Sequence, residues 1–222
     1  MKLLLTSITG LLLIVLLIPP SESIVSITFD DGLESQYNAS LILDEYDYKG
    51  TFYICPGLNE FEGYALMSWE QIVNLQSRGH EIGCHTMTHI NASSVSDDAF
   101  RQELIDCERI INADSFAYPY GEGIDKESIV RDYFTSARLV LQGVNDKSDF
   151  NVKALIIVHD RFEQRINWLK DWLKEDGWVA VTIHGVTNNP RGLIDITPDE
   201  LRQVLEVIKG SGAKVMTVRD VN

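Results

Sequence analysis

A distorted (β/α) barrel of seven or eight parallel strands, in a single α/β domain, is the fold class that three observations predict. Short β-branched or aromatic runs alternate with amphipathic segments; about eight such runs fit into roughly 200 residues; and the chemically capable residues sit just after several of them. In chain order the strand candidates are Ile24–Phe29, Thr51–Ile54, 81–83, 116–118, 136–140, 155–158, Trp178–Ile183 and 214–218. Alternation of this kind implies parallel strands joined by helical crossovers. Helix starts are marked by Ser68 with Gln71 ahead of Ile72 and Leu75, and by Thr197-Pro198-Asp199-Glu200, a capping box with proline in the first turn. The second helix is expected to close near Lys209-Gly210. Residues 141–153 carry no clear period and read as a loop, and no repeat, low-complexity tract or linker interrupts the chain.

The chain has 222 residues, with 33 Asp plus Glu against 19 Lys plus Arg, a net charge of −14. That sign repels phosphate backbones, so no nucleic-acid partner is expected, and it disfavours acidic polymers as substrates. Residues 1–23 begin with Lys2, continue through an apolar stretch from Leu11 to Ile18, and end in Pro19-Pro20-Ser21-Glu22-Ser23. This is the pattern of a secretory signal, with an uncleaved anchor as the alternative and the membrane involved only through it. A secreted or cell-surface monomer is expected, its domain spanning 24–222.

Cys55, Cys84 and Cys107 are too few and odd in number for a disulfide scaffold. Cys107 recurs with Phe100, Leu104 and Ile111 at helical spacing and reads as core; Cys55 and Cys84 each follow a strand run, which leaves a bridge between them open. Cys84 is not expected to share an ion with His85, because neighbours on a strand face opposite ways. His80 and His159 read as structural.

Four segments at the C-terminal ends of strands concentrate the chemistry: Asp30-Asp31-Gly32, His85 to His89, Tyr118-Pro119-Tyr120-Gly121 and His184-Gly185. In a parallel barrel those ends share one rim, so the segments converge. His85 and His89, four apart, together with one carboxylate form a two-histidine, one-carboxylate set for a divalent metal, zinc by preference, with cobalt or another ion tolerated. Adjacent aspartates repel unless a cation separates their roles. Asp31 as metal ligand leaves Asp30 as general base, and Gly32 lets the chain turn away. His184 is placed to protonate a leaving group.

Thr28-Phe29-Asp30-Asp31-Gly32, His85-Thr86-Met87-Thr88-His89, Ala117-Tyr118-Pro119-Tyr120-Gly121 and Val181-Thr182-Ile183-His184 resemble, in order and spacing, the first, second, third and fifth motifs of the NodB-homology polysaccharide deacetylases. The resemblance covers the chain from Ile24 to Val221. It implies Asp30 as catalytic base, Asp31, His85 and His89 as metal ligands, and His184 as catalytic acid. It further implies that the Tyr120 N–H holds the oxyanion beside Pro119, and that Ile183 lines the pocket for an acetyl methyl. Two departures stand out. The third motif often carries an arginine that orients the base, and no basic residue lies between Arg109 and Lys126. The fourth motif usually has an Asp-Trp pair; the nearest matches are Asp146-Lys147-Ser148-Asp149-Phe150 and Asp171-Trp172, the latter inside a helical pattern.

The function expected on these grounds is metal-dependent removal of N-acetyl groups from an acetylated amino-sugar glycan. O-acetyl ester or small amide and imide hydrolysis would use the same residues, and a catalytically weak, secreted glycan-binding protein is the rival of another class.

Overall fold

Ile24–Phe29 (β1) is buried at every position, as a strand covered on both faces must be. The computed structural model describes residues 23–191 and 194–221. After β1 come α1 (Glu34–Glu45), β2 (Thr51–Ile54), β3 (Glu60–Phe61), β4 (Tyr64–Ala65), α2 (Trp69–Ser77), β5 (Glu81–Cys84), α3 (Asp97–Ile111), β6 (Ser115–Ala117), α4 (Glu127–Val130) and β7 (Ser136–Arg138). The chain continues through β8 (Asn151–Val152), β9 (Ala154–Ile156), α5 (Phe162–Trp172), β10 (Trp178–Ile183), α6 (Pro198–Ser211), β11 (Lys214–Val215) and α7 (Val218–Val221).

The strands pair in the order β8-β7-β6-β5-β2-β1-β10-β9, all parallel, with β11 beside the start of β1. Its two ends are successive parts of one extended stretch. Val152 lies opposite Arg138 of β7, and Leu155, just past Lys153, lies opposite Val181 of β10. A strand that changes partners at Lys153 therefore brings the sheet nearly to closure as a barrel, with helices around it. The predicted barrel and its strands are present. The expected loop 141–153 contains β8, which is too short to show a period. The β3–β4 hairpin was not anticipated for the same reason.

Helices present their apolar stripes to this barrel. In α3 the buried residues are Phe100, Leu104, Cys107 and Ile111; in α6 they include Leu201, Val204, Leu205 and Ile208. Each such large side chain contributes about 1.5–3 kcal/mol when fully buried. Both predicted capping boxes form: the Ser68 N–H donates to Gln71 at 2.8 Å and the Thr197 N–H to Glu200 at 2.7 Å. The helix that follows Thr197 runs to Ser211 and ends at Gly212, two residues beyond the expected stop.

The cysteines differ from expectation. Cys107 is in the core, but it is bonded to Cys84, with Cα atoms 6.2 Å apart, and Cys55 remains a free thiol that donates to the His85 carbonyl at 3.0 Å. The register explains why: Ile54, not Cys55, lies opposite Cys84, and α3 packs on β5 with Cys107 on its buried face.

The segment read as a signal or anchor lies, apart from Ser23, outside the described residues. No helix among the described residues is long and apolar enough to cross a membrane.

Candidate active site

At the end of β1 the backbone makes two consecutive left-handed residues, Asp31 (φ 76°) and Gly32 (φ 75°), which turn the chain off the sheet and leave both aspartates at the rim. The Asp30 N–H still bonds the Ile183 carbonyl at 3.1 Å. Gln36, buried at the start of α1, donates from Nε2 to the carbonyl of Asp30 and, at 3.1 Å, to that of His184. One amide thus ties together the backbones of the proposed base and acid.

His85 follows β5, its N–H bonded to the Ile54 carbonyl at 3.0 Å. Its Nδ1 lies 2.8 Å from the Ala117 carbonyl, which makes Nδ1 a donor, and its Nε2 faces Asp31 Oδ1 at 3.5 Å. His89 Nε2 is 3.2 Å from the same oxygen. Between the two histidines the chain is a loop with left-handed Thr86 (φ 62°) and His89 (φ 60°). It is held by Thr88, whose N–H and Oγ1 each donate to a Glu103 carboxylate oxygen at 2.8 Å, and by the Gly57 N–H, which donates to the Met87 carbonyl at 2.9 Å. The His89 ring packs against Phe61 at 4.4 Å and Tyr120 at 4.8 Å between centroids.

Asp31, His85 and His89 each offer one atom, all within 4.8 Å of one another. Burial alone would push the Asp31 carboxyl up. Hydrogen bonds from His85 and His89, with the charges of His184 and His85, outweigh it and hold the group well below the usual carboxylate range. A buried anion with two imidazole nitrogens turned toward one of its oxygens is a donor set that fits a divalent cation, zinc above all by ligand chemistry.

The Asp30 Oδ2 accepts from the Arg138 guanidinium and lies 3.7 Å from His184 Nε2; Oδ1 is buried with no partner among the described residues. The third motif has no arginine, as the sequence shows, yet the base holds one. It comes from β7 rather than from the third motif, and it is 1% exposed. Its signal in the sequence was a lone arginine inside the apolar run 136–140, which burial permits only with a counter-charge. Neither fourth-motif candidate reaches the site. Asp149 accepts the Asp146 N–H at 3.0 Å, Phe150 is buried under Arg131, and Asp171 pairs with Lys174 at 2.6 Å on the surface.

Tyr120 (φ 60°) and Gly121 (φ 70°) form the turn after β6. A Cβ on Gly121 would lie 1.8 Å from Val140, so only glycine lets the turn pack on that residue. Pro119 is buried behind the turn. Ile183, expected to line the pocket, is fully buried in the core and is not among the side chains that line the cavity. The apolar wall comes instead from Phe61, Val140, Ile156, Val158 and Ile194.

These groups share one cavity of about 410 Å³, which contains Asp30, Asp31, His85, His89, Tyr120 and His184. No sequence pattern marks the hairpin wall, where Phe61 and Glu62 line the cavity and Tyr64 donates to the buried Asp195 at 3.1 Å. Asp31, Glu62, Thr86, His89 and Tyr120 are non-glycine residues with positive φ, all in or beside the cavity. Backbone strain gathered in this way marks positions that the surrounding structure over-determines, as functional sites do.

Fold and cavity together define a parallel-barrel protein with a candidate metal centre at the C-terminal rim of its strands. More narrowly, residues 18–134, over half of the chain, match the family model described as polysaccharide deacetylase, and the chain belongs to that family. A peptidoglycan-N-acetylglucosamine deacetylase of Bacillus cereus is 33% identical over 91 residues, 40% of this chain and 40% of that protein. Another match to a protein of that name and organism is 30% identical over 118 residues, 49% of this chain and 40% of the relative. The chain therefore spans well under half the length of these relatives. Among solved structures, the chitin deacetylase of Colletotrichum lindemuthianum has a TM-score of 0.65 at 15% identity, covering 91% of this chain and 88% of that one. A family 4 acetyl xylan esterase of Clostridium thermocellum, in complex with a cobalt ion, has a TM-score of 0.62 at 21% identity, covering 89% of each chain. At these identities the likeness to the two structures is one of fold.

Proposed function

We propose that this protein is a metal-dependent hydrolase that removes N-acetyl groups from an amino-sugar polysaccharide or oligosaccharide. One observation carries the reading: a buried Asp-His-His cluster shares its cavity with a second aspartate that has one oxygen held by Arg138 and the other free. Held by Asp31, His85 and His89, a divalent ion, zinc or alternatively cobalt, would polarise an acetamide carbonyl and acidify water. Asp30, oriented through Oδ2, takes a proton from the attacking water on its unpartnered Oδ1. His184, whose Nε2 faces Asp30, delivers a proton to the departing amine. The Tyr120 N–H, at the strained turn beside His89, donates to the developing oxyanion. The names of the B. cereus relatives favour an N-acetylated glycan as substrate and partner. The N-terminal segment favours secretion or display at the cell surface.

Acetate release from N-acetylglucosamine oligomers, set beside acetylated xylan, separates amide from ester hydrolysis. Chelation is expected to abolish release and zinc or cobalt to restore it. Asp30→Asn is expected to lower kcat by about 10²-fold or more while elemental analysis still finds a stoichiometric metal. Full activity in that variant would remove Asp30 from its role. Glycan binding by the metal-loaded protein without any acetate release would favour the binding-protein rival.

A further inference from the structure

In a chain of net charge −14 nearly every arginine holds a carboxylate: Arg78, Arg101, Arg109, Arg131, Arg138, Arg202 and Arg219 all do so. Arg191, stacked on Tyr64 at 4.7 Å, does not, and neither do Arg161 and Arg165. Both line the active-site cavity and neither makes an ion pair among the described residues, although Asp160, Glu163 and the cavity's own Glu62 are at hand. Arg161 ends the short turn 159–161 and Arg165 lies four residues on, in the first turns of α5, a spacing that puts both on one side of the helix.

Arg165 is held rather than free. Its guanidinium stacks over Trp168 at 4.7 Å, and its Nε and Nη1 are buried without a hydrogen-bond partner. Burial of an unpaired, fixed guanidinium beside a second like charge is unfavourable by itself. Guanidinium forks match the two oxygens of a carboxylate or phosphate, and a small oxyanion is what the pair lacks.

We propose that Arg161 and Arg165 form an anion subsite of the cavity, so that the preferred substrate is an amino sugar carrying a carboxylate or phosphate ester near the acetamide to be cleaved. This rests on the deacetylase reading of the cavity. The negative net charge argues against acidic substrates only at long range, whereas this wall of the cavity presents two guanidiniums with no ion-pair partner among the described residues.

The test uses matched ligands: an N-acetylglucosamine–N-acetylmuramic acid disaccharide with its lactyl carboxylate, the same disaccharide as carboxamide, and N-acetylglucosamine with and without a 6-phosphate. Calorimetry on the metal-free protein gives affinities without turnover, and acetate release is measured in parallel on the zinc-loaded protein. At least one anionic ligand is expected to bind about tenfold or more tightly than its neutral partner, the winning pair identifying carboxylate or phosphate. Arg161→Gln/Arg165→Gln should bring that ratio close to one, and Arg165→Lys should keep part of it. Because Arg161 is exposed, Arg161→Gln alone provides a folded control in which the ratio should fall. Equal affinities within both pairs, or a ratio that survives the double substitution, overturns the subsite. Anion-dependent binding with no acetate release would leave the subsite standing and sink the deacetylase reading; acetate release indifferent to charge would do the reverse.

Discussion

Arg138 and Asp30 are both almost fully buried, so neither charge has water to fall back on. Removing one partner of such a pair costs about 3–5 kcal/mol, because the other is left buried and uncompensated. Arg138→Gln is therefore expected to lose stability of that order in urea unfolding and, since the Asp30 carboxylate loses the donor that orients it, to lower kcat more than it raises KM. Arg138→Lys keeps the charge without the fork and should fall between. Wild-type stability and turnover in Arg138→Gln would show the pairing to be idle. The residues proposed as metal ligands were legible as a set rather than singly, because the Asp pair and the histidines four apart fall at strand ends that share one rim. Arg138 was not, because its partner lies 108 residues away and a lone arginine in an apolar run does not name it.

Strand β5 and helix α3 are joined by Cys84 and Cys107, 23 residues apart, around the loop that carries both histidines of the candidate metal site. Closing a loop of that length restricts the unfolded chain by about 3 kcal/mol in the chain-entropy account. Unfolding in the presence of a reductant, or of Cys107→Ser, should show a loss up to that size, with an unchanged midpoint arguing that the bond does not form in solution. The strained loop between the histidines is expected to feel the loss first, since Cys84 immediately precedes His85. Helical periodicity correctly placed Cys107 in the core. It could not show that α3 packs its buried face on β5, and this contact decides the pairing.

On the scale of the whole barrel, the end opposite the cavity carries its own titration. His80 is buried before β5, its Nδ1 accepting the Gly50 N–H at 3.1 Å. Burial first, then the charges of Arg78 and Lys49, push its pKa down to about 4 against the pull of Asp44. The unfolded chain keeps the ordinary value near 6.5 and so binds more protons between those limits. Stability is accordingly expected to fall as pH drops from about 6.5 toward 4. Comparing denaturation curves of the wild type and His80→Asn across that range checks the contribution. Parallel pH dependence in the two would assign the loss to other groups.

The parallel barrel, both capping boxes and the rim that gathers Asp30, Asp31, His85, His89 and His184 followed from the sequence alone, because each depends on local period, local caps or the rule that parallel strands end together. Tertiary structure alone decided what depends on which distant segments meet. The strand that nearly closes the barrel changes partners at Lys153, Arg138 reaches the base from β7, Cys84 finds Cys107, and the 60–65 hairpin with Arg161 and Arg165 walls the cavity. Such contacts leave almost no periodic trace, since a two-residue strand, a lone buried arginine or an unpaired one is defined by its neighbours in space.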